Sequence, residues 1–491
     1  MAGLLVLAPS ASHAEESADG FLARFLKAYE EHLSYTGENP TPSPFRGLEP
    51  PLDSPPWPAA DYPFGGSEVI GHSNFYGGPL TDALWASDWG AGLKDNTIAI
   101  YGWIEPGGNL STARHKWSES AGKGGNYPIA DIAQPNRAEL DQIALYVERV
   151  PDEVQTDHVD WGFRITNLYG QDYRYTFAQG ILSYQRLKRN HLYGIDPCIQ
   201  CYGEIYIPSV AEGMNIRVGR YISVPDIEAQ LAPNLYSYSH SMTYAFDPYS
   251  QTGIVGTVKL DNNWTVQASL SSGNDVTPTS RNAKLTGAVC VQWSGDEGED
   301  VIYPCVNGIN DQKYAYNNLQ PLVFVWYHKF DAKWHMATEA WYMWERDTPN
   351  ANWDGVEGVQ TPPVPGANEA YCAPAKANCF AREYALVNFV NYEIDPLNGL
   401  SLRNEFFQDL NGQRTGIPTL YTTHMISWQH WIGDVVTMRP EVTFGHSYNH
   451  KAFDASSASI ATGPSPSFPN GVALGSKSSV VILAADLILH F

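Results

Sequence analysis

Six cysteines are the residues whose spacing points most directly to chemistry. Cys198 and Cys201 form a CxxC motif, which can serve redox chemistry or half of a metal site. No second CxxC follows, and Cys201 lacks the following His that haem attachment requires. In an oxidising compartment, pairing of neighbours in sequence is the simplest connectivity, although redox and metal roles stay open. We therefore predict three structural disulfides in surface loops: Cys198–Cys201, Cys290–Cys305 and Cys372–Cys379.

Other catalytic arrangements are absent from the sequence. No GxSxG or HExxH motif occurs, and the 53 acidic residues single out no pair of the kind that glycosidases use. The net charge of -23 also disfavours nucleic acid, because phosphate binding requires clustered Lys and Arg. The sequence thus predicts a protein that is not an enzyme, with no catalytic residue, metal site or cofactor.

Composition favours strands over helices. Aromatic residues make up 13% of the 491 residues, with 29 Tyr and 15 Trp, while charged residues reach only 17%. No apolar run of about 18 residues is present, so a membrane-spanning helix is excluded. A membrane β-barrel would also lack such a run, because it crosses the bilayer with strands.

The N-terminal region differs from the rest of the chain. Residues 1–14 end in Ser12-His13-Ala14 after a short apolar run, which is typical of the back half of a signal peptide, and we expect the true start upstream. Residues 21–35 carry apolar side chains at helical spacing, and residues 39–63 are rich in proline. The predicted domains are a residual signal peptide (1–14), a periplasmic helix with a proline-rich extension (15–95) and a barrel (96–491).

From about residue 96 the polarity alternates with a period of two. In residues 264–270, Trp264 and Leu270 share one face while Gln267 and Ser269 share the other. Residues 159–166 and 436–444 repeat the pattern. Sixteen strands are predicted on this basis: 96–105, 140–150, 159–169, 202–208, 214–222, 238–246, 253–260, 263–271, 283–293, 321–330, 334–344, 384–393, 400–408, 420–431, 436–445 and 480–491.

The connections between these strands indicate a barrel. Long insertions at 106–139, 170–201, 294–320, 345–383 and 446–479 alternate with short turns, and only the turn at Asp261-Asn262 breaks the rule. A soluble sandwich has no reason to sort its loops in this way, whereas a membrane barrel has two chemically different ends. We predict an all-β, antiparallel, up-and-down transmembrane barrel of about 16 strands. The range of 14–18 strands stays open, since residues 172–187 could add a hairpin.

The last strand carries a more specific signal. Val481, Leu483 and Ala485 alternate outward, and the pattern continues to a C-terminal aromatic residue. Such an ending is typical of outer-membrane barrels that the barrel-assembly machinery recognises. The predicted insertion signal comprises Leu487, Leu489 and Phe491.

Four segments carry a resemblance to a known family. They are Ile100–Asn109 (IYGWIEPGGN), Val218–Ile222 (VGRYI), Ala232–His240 (APNLYSYSH) and Gln251–Thr257 (QTGIVGT). The chain resembles the OmpL-like outer-membrane β-barrel porins, the second of the barrel-porin groups, over most of residues 60–491. The resemblance implies channel activity in the outer membrane of a Gram-negative bacterium, and it transfers no binding residues.

A barrel of sixteen strands leaves room for water, so the inward polar residues are the candidate site. Charges that face one another across water would orient dipolar solutes. Alternatively, they only pair with one another and keep the inner wall hydrated, and the sequence leaves both interpretations open. The loop Ser223 to Ser237, with Asp226 and Glu228, is predicted to narrow the channel. The predicted pore-lining residues are Glu148, Asp160, Arg164, Arg217, Lys259, Gln267, Arg403, Glu405, Arg439 and Glu441.

The expected function is passive diffusion of small hydrophilic solutes. The alternatives are a structural anchor or adhesin that acts through its long extracellular loops and, behind it, a barrel enzyme. An energy-coupled transporter is disfavoured, because it would need a large plug domain where the chain has a short proline-rich segment. Expected partners are outer-membrane lipid, lipopolysaccharide, the barrel-assembly machinery and the solutes, and a homotrimer is an assembly that the sequence leaves open.

Overall fold

A computed structural model describes residues 20–37, 71, 77–116, 124–222, 226–295, 298–353, 369–455 and 474–491. The predicted signal peptide and the proline-rich segment at 39–63 lie outside these residues. The N-terminal helix is confirmed, and none of the described helices is long and apolar enough to cross a membrane. The helices are α1 (Phe21–Leu33), α2 (Pro79–Trp85), α3 (Ala91–Asp95), α4 (Tyr173–Thr176), α5 (Tyr184–Leu187) and α6 (Met242–Ala245).

Antiparallel strands form one closed sheet in which β1 pairs with both β2 and β17. The segments are β1 (Ala99–Ser111), β2 (Arg137–Arg149), β3 (Asp160–Gly170), β4 (Gly194–Ile207), β5 (Met214–Ile222), β6 (Ser250–Lys259), β7 (Trp264–Asn274), β8 (Thr286–Ser294), β9 (Asp300–Ile309), β10 (Gln320–Lys329), β11 (Trp334–Pro349), β12 (Asn378–Asp395), β13 (Asn398–Asp409), β14 (Thr419–Ile432), β15 (Val436–Met438), β16 (Glu441–Ser447) and β17 (Ser479–His490). Both β15 and β16 pair with β14 and β17, so they are two halves of one strand. The interruption falls at Pro440, which has no amide hydrogen to donate to the ladder. The result is a barrel of sixteen strands, as predicted.

The wall has an apolar outer face and a mostly polar inner face. On β13, Leu402 and Phe406 are exposed by 40% and 42%, whereas Arg403 and Glu405 between them are exposed by 0% and 3%. The alternation predicted for 159–166, 264–270 and 436–444 is confirmed by the same pattern of exposure. The exposed apolar side chains form the surface that a bilayer would cover.

The predicted strand number is right because two errors cancel. Residues 238–246 are not a strand: they are buried and include α6, whose first turn is capped by Ser241 Oγ, which accepts the Tyr244 amide at 3.0 Å. Their alternation of Tyr, Ser and His imitated the period of a strand, but the segment is buried throughout and has no exposed face. Conversely, β9 lies inside the predicted loop 294–320, where Pro304 had weakened the strand pattern.

With these strands corrected, the connections sort by end, and their lengths overlap only where 150–159 has ten residues, 310–319 ten and 410–418 nine. One end carries the shorter connections 150–159, 208–213, 260–263, 295–299, 330–333, 396–397 and 433–435. The other end carries 112–136, 171–193, 223–249, 275–285, 310–319, 350–377, 410–418 and 448–478. The turn at Asp261-Asn262 therefore belongs to the short end and is no exception. The hairpin considered at 172–187 is absent, since that segment contains α4 and α5.

All three predicted disulfide pairings are present. Cys198–Cys201 lies within β4 and not in a loop as predicted, while Cys372–Cys379 joins the long connection 350–377 to the start of β12. Cys290–Cys305 differs from the expectation, because it links directly opposed residues of β8 and β9 and does not tie down a loop. The expectation failed there because β9 had been assigned to a loop.

Helix α1 contacts the short-connection end of the barrel. His32 Nδ1 lies 2.8 Å from Asp434 Oδ1 in the connection 433–435, and His32 Nε2 lies 3.1 Å from Asp82 of α2. Burial by itself would lower the pKa of His32, but these two carboxylates outweigh it and raise the pKa to about 9. A charged His32 therefore joins both helices to the barrel.

Candidate functional site

The connection between β5 and β6 folds into the barrel. We call its described part, Asp226–Tyr249, the inner loop; every residue from Ile227 to Tyr249 is buried. The predicted narrowing loop, 223–237, supplies the first half of this segment from Asp226 on, and its residues 223–225 lie outside the described residues. The inner loop is longer than predicted because residues 238–246 belong to it and not to the wall.

The inner loop reaches the opposite side of the barrel. Strands β5 and β13 stand eight places apart in a ring of sixteen, so β13 faces the side from which the loop departs. Glu405 of β13 accepts hydrogen bonds from the Thr243 amide and hydroxyl at 2.5 and 2.8 Å. Arg403 of β13 donates to the Ser239 carbonyl and, at 3.1 Å, to the Ser239 hydroxyl. Two of the predicted pore-lining residues therefore hold the inner loop.

Further inward residues hold the middle of the inner loop. Arg439, between β15 and β16, donates to the carbonyls of Ala232 and Leu235 at 2.6 and 3.2 Å. Glu441 of β16 accepts the Ser239 amide at 3.1 Å. A buried segment without regular secondary structure leaves backbone groups in need of partners, and the charged wall supplies them.

Two acidic residues of other loops contact the inner loop, Asp131 through His240 and Asp172 through Gln230, which donates to it at 3.1 Å. His240 Nδ1 lies 3.3 Å from Asp131 Oδ2 in the connection 112–136. Burial disfavours the charged imidazole, yet Asp131 outweighs burial and the pKa of His240 rises to about 9. Burial and the charge of Asp131 raise the pKa of nearby Asp172 to about 7. The inner loop therefore presents a protonated His240 to a cluster of acidic residues at the long-connection end.

Glu228 is the more buried of the two acids predicted for the narrowing loop. It is 4% exposed, and its Oε1 lies 3.9 Å from Arg403 Nη1. Its carboxylate also accepts the Ser241 amide at 3.0 Å. Burial raises the pKa of Glu228, although Arg403 opposes the shift. Asp226 lies at the start of the inner loop, where its carboxylate accepts the Glu228 amide at 2.9 Å.

All ten predicted pore-lining residues face the interior of the barrel and are at most 8% exposed. The charged ones near β2 to β5 pair with the next strand: Arg164 with Glu148 at 2.6 Å, and Arg217 with Glu204 at 3.1 Å. Asp160 likewise pairs with Arg149 of β2 at 3.0 Å. These contacts join neighbouring strands and not opposite walls, so they fit the interpretation that the charges pair with one another.

The other two residues of that prediction also face inward. Gln267 of β7 donates to Thr257 at 2.8 Å and accepts from Tyr303 at 2.5 Å. Lys259 of β6 is 8% exposed.

The sequence reasoning missed several inward acids. Asp486 of β17 and Glu105 of β1 were missed, and both contact Arg439, which also contacts the inner loop. Asp196 was missed as well, and it pairs with Arg220 at 3.0 Å. Glu339 of β11 was also missed, although the alternation within the predicted strand 334–344 places it on the inward face. The period of two would have found these acids, but their contacts with the inner loop needed the tertiary structure.

Comparison with known proteins gives one family and several distant structures. Residues 97–491 match the family described as "Putative beta-barrel porin-2, OmpL-like". Similar solved structures include an anion-selective porin from Comamonas acidovorans, with 9% identity, a TM-score of 0.48, and coverage of 80% of this chain and 99% of that chain. The outer membrane channel DcaP of Acinetobacter baumannii is 12% identical with a TM-score of 0.46, covering 80% of this chain and 97% of that one. Among curated proteins, no relative matches the sequence.

Proposed function

Because the chain belongs to the OmpL-like putative β-barrel porin-2 family, we propose that it is a passive channel for small hydrophilic solutes. One observation carries this proposal: a closed wall of sixteen strands with apolar side chains outside encloses an interior lined by Arg, Glu and Asp. Charged groups need water or partners, and a barrel of this strand number is wide enough for both. The inner loop narrows that passage, with Asp226 and Glu228 as the acids that solutes meet.

Reconstitution of the full chain tests the channel. In planar bilayers we expect discrete conductance steps, and in liposomes we expect swelling whose rate falls steeply with solute size, because the inner loop fills part of the cross-section. The proposal would be contradicted by a chain that is folded, as judged by heat-modifiable migration on a gel, but that gives neither swelling nor conductance.

A double substitution tests the narrowing role separately. Asp226→Asn with Glu228→Gln removes two acidic groups from the inner loop while keeping side-chain size. We expect lower preference for cations, measured as a shift in reversal potential under a salt gradient. Unchanged conductance and selectivity would sink the narrowing role and leave the channel itself standing.

An anchor or adhesin is the second candidate, and the complete burial of Ile227–Tyr249 is the observation that favours it. A barrel filled by its own loop would act through the long connections 350–377 and 448–478. The reconstitution experiment separates the two functions, since an anchor leaves vesicles sealed.

We place the chain in the outer membrane after export through the periplasm, with residues 15–95 on the periplasmic side. Helix α1 contacts the short-connection end, which supports that orientation, since the turns of such barrels are short on the periplasmic side. Leu487, Leu489 and Phe491 would then direct insertion by the barrel-assembly machinery, with lipopolysaccharide around the long-connection end and a homotrimer as the assembly. Deletion of Phe491 should reduce the folded outer-membrane fraction, and crosslinking should give a species of three chains.

A further inference from the structure

Three carboxylates converge at the place where the inner loop begins and ends. Asp226 lies at its start, Asp247 near its end, and Glu339 on β11 of the wall. One oxygen atom of each lies within 4.8 Å of the corresponding oxygen of the other two. The sequence alone predicted no metal site here, because the three residues are far apart along the chain.

The three carboxylates lack the compensation that other interior acids have. Glu228 has Arg403 3.9 Å away, whereas Asp226, Asp247 and Glu339 form no ion pair with a Lys, Arg or His of the described residues, and Arg414 acts on Asp247 only from a longer distance. Such crowding of negative charge in a low-dielectric interior needs a positive partner, which is either shared protons or a cation.

Two buried oxygen atoms at the cluster have no donor. Glu339 is 1% exposed and uses Oε2 to accept the Ile227 amide at 3.0 Å, while its Oε1 receives no hydrogen bond from the described residues. Asp247 is 9% exposed, and its Oδ1 likewise receives none. Both carboxyl groups lie within hydrogen-bonding distance of that of Asp226, which can donate only when it is protonated, and one proton can serve only one of them. Buried polar atoms in proteins nearly always have partners, so these two oxygens indicate a ligand.

We propose that Asp226, Asp247 and Glu339 bind a calcium ion that fastens both ends of the inner loop to β11. Carboxylate oxygens are the ligands that Ca²⁺ prefers, and metal–oxygen distances of about 2.3–2.6 Å allow two ligand oxygens to lie up to about 5 Å apart. Mg²⁺ fits less well, because it demands shorter bonds, near-octahedral geometry and retained water. Water and backbone carbonyls complete the coordination.

The ion would act on the geometry of the inner loop. Asp226 and Asp247 bracket the loop, so a shared ion fixes its entry and exit at the same place on the wall. The contacts of Arg403, Glu405 and Arg439 then hold the part in between. Calcium is therefore expected to make the fold more resistant to heat by binding only the folded state.

The test uses the full chain, refolded without lipopolysaccharide, stripped with EDTA and dialysed. We expect about one bound Ca²⁺ per chain by elemental mass spectrometry and equilibrium dialysis. We also expect a saturable rise in the temperature at which heat-modifiable migration is lost, and a smaller rise with Mg²⁺. Glu339→Gln should lose both the bound ion and the rise in temperature.

Glu345→Gln is the matched control. Glu345 is an inward acid on the same strand and is 0% exposed, but it accepts the Ala315 amide at 3.1 Å and Gln413 Nε2 at 2.6 Å. This variant should keep the calcium stoichiometry and the thermal response of the wild type. If Glu339→Gln does not fold, Asp226→Asn replaces it, since that side chain belongs to the inner loop and not to the wall.

The proposal is overturned if the wild type binds no more calcium than folded Glu339→Gln or, where that variant does not fold, Asp226→Asn, which would leave shared protons as the compensation. It is also overturned if Glu345→Gln loses the ion together with Glu339→Gln, because binding would then be unspecific to the cluster. Calcium binding and conductance are measured separately, so a failure of the channel function leaves this result unaffected, and the reverse holds as well.

Discussion

The barrel wall and the inner loop that it encloses meet in the same interior, yet different contacts hold them in place. The wall is a continuous ladder of antiparallel pairs in which every strand has two neighbours. The inner loop has two short helical turns, α6 and a 3₁₀ turn at Ala232–Asn234, and otherwise depends on single side chains such as Arg403, Glu405 and Arg439. The wall is therefore specified by a repeating pattern, and the inner loop by a few particular contacts.

This difference predicts how each region responds to substitution. A change on the wall is shared by a cooperative ladder and should appear in global stability. A change in an anchor of the inner loop should first appear as local opening, because local segments open at a lower free energy than the whole fold. The substitutions below test that distinction.

Arg439→Ala is expected to have the largest effect, because Arg439 serves both regions. It donates to Asp486 at 3.0 Å, to Glu105 at 3.1 Å and to the inner loop at Ala232. Its loss leaves two buried carboxylates without their cation, at a cost of about 3–5 kcal/mol. Chemical unfolding in lipid vesicles measures this, with Arg439→Lys as the control that retains the charge. A loss below about 1 kcal/mol would contradict the assignment.

Leu402→Arg tests the outer face of the wall. Leu402 is 40% exposed on β13, next to the inward Arg403. If bilayer surrounds that face, an arginine near the midplane should cost about 2–4 kcal/mol. Leu410→Arg is the matched control, since Leu410 lies just beyond the strand and is 38% exposed. Equal effects of the two substitutions on unfolding would argue against a lipid-facing wall.

Glu405→Gln tests the inner loop with a smaller expected effect. The carboxylate accepts two hydrogen bonds from Thr243, and the amide oxygen of Gln would keep an acceptor while losing the charge. We expect a loss of about 1 kcal/mol in docking of the loop. Hydrogen exchange should become faster in peptides from 226–249 and stay unchanged in the strands. Ser427→Ala, an inward change on β14 whose hydroxyl has no hydrogen bond among the described residues, should leave exchange of the loop unchanged.

The smallest expected effect concerns helix α1, which belongs to neither the wall nor the inner loop. The pKa of His32 is raised above its usual 6.5, to about 9, so its stabilising contribution is complete below 6.5 and is lost as the pH rises through about 9. Proteolysis of α1 should therefore become faster at high pH in the wild type. His32→Gln should show fast cleavage at all pH values, and a pH response that persists in this variant would exclude His32 as its source.

Most of the wall could be predicted from the sequence, and the inner loop could not. The segment 264–270 shows why the wall is predictable, since alternation of Trp264, Val266 and Leu270 with polar residues follows from chain geometry alone. Residues 238–246 show the limit of this prediction. Their residue types alternate, yet the segment is buried on every side and does not belong to the sheet. Residues 300–309 show the opposite error, in which a strand was hidden by Pro304.

The candidate site divides in the same way. The inward orientation of Arg403 and Glu405 followed from parity, but their role as anchors of the inner loop did not. The three disulfide pairs were predicted from local spacing, yet the position of Cys290–Cys305 within the wall depended on the pairing of β8 and β9.

By itself the sequence determined the two faces of the wall, the helix at residues 21–33, the cysteine pairs and the sorting of short and long connections. These features depend on residues close together along the chain, where the period of two and the spacing of turns act directly. Only the tertiary structure decided which distant residues meet, such as Asp226 and Asp247 with Glu339, or Arg439 with Glu105. Those contacts depend on how many strands close the ring and on where the inner loop crosses it, and neither is encoded in any local pattern.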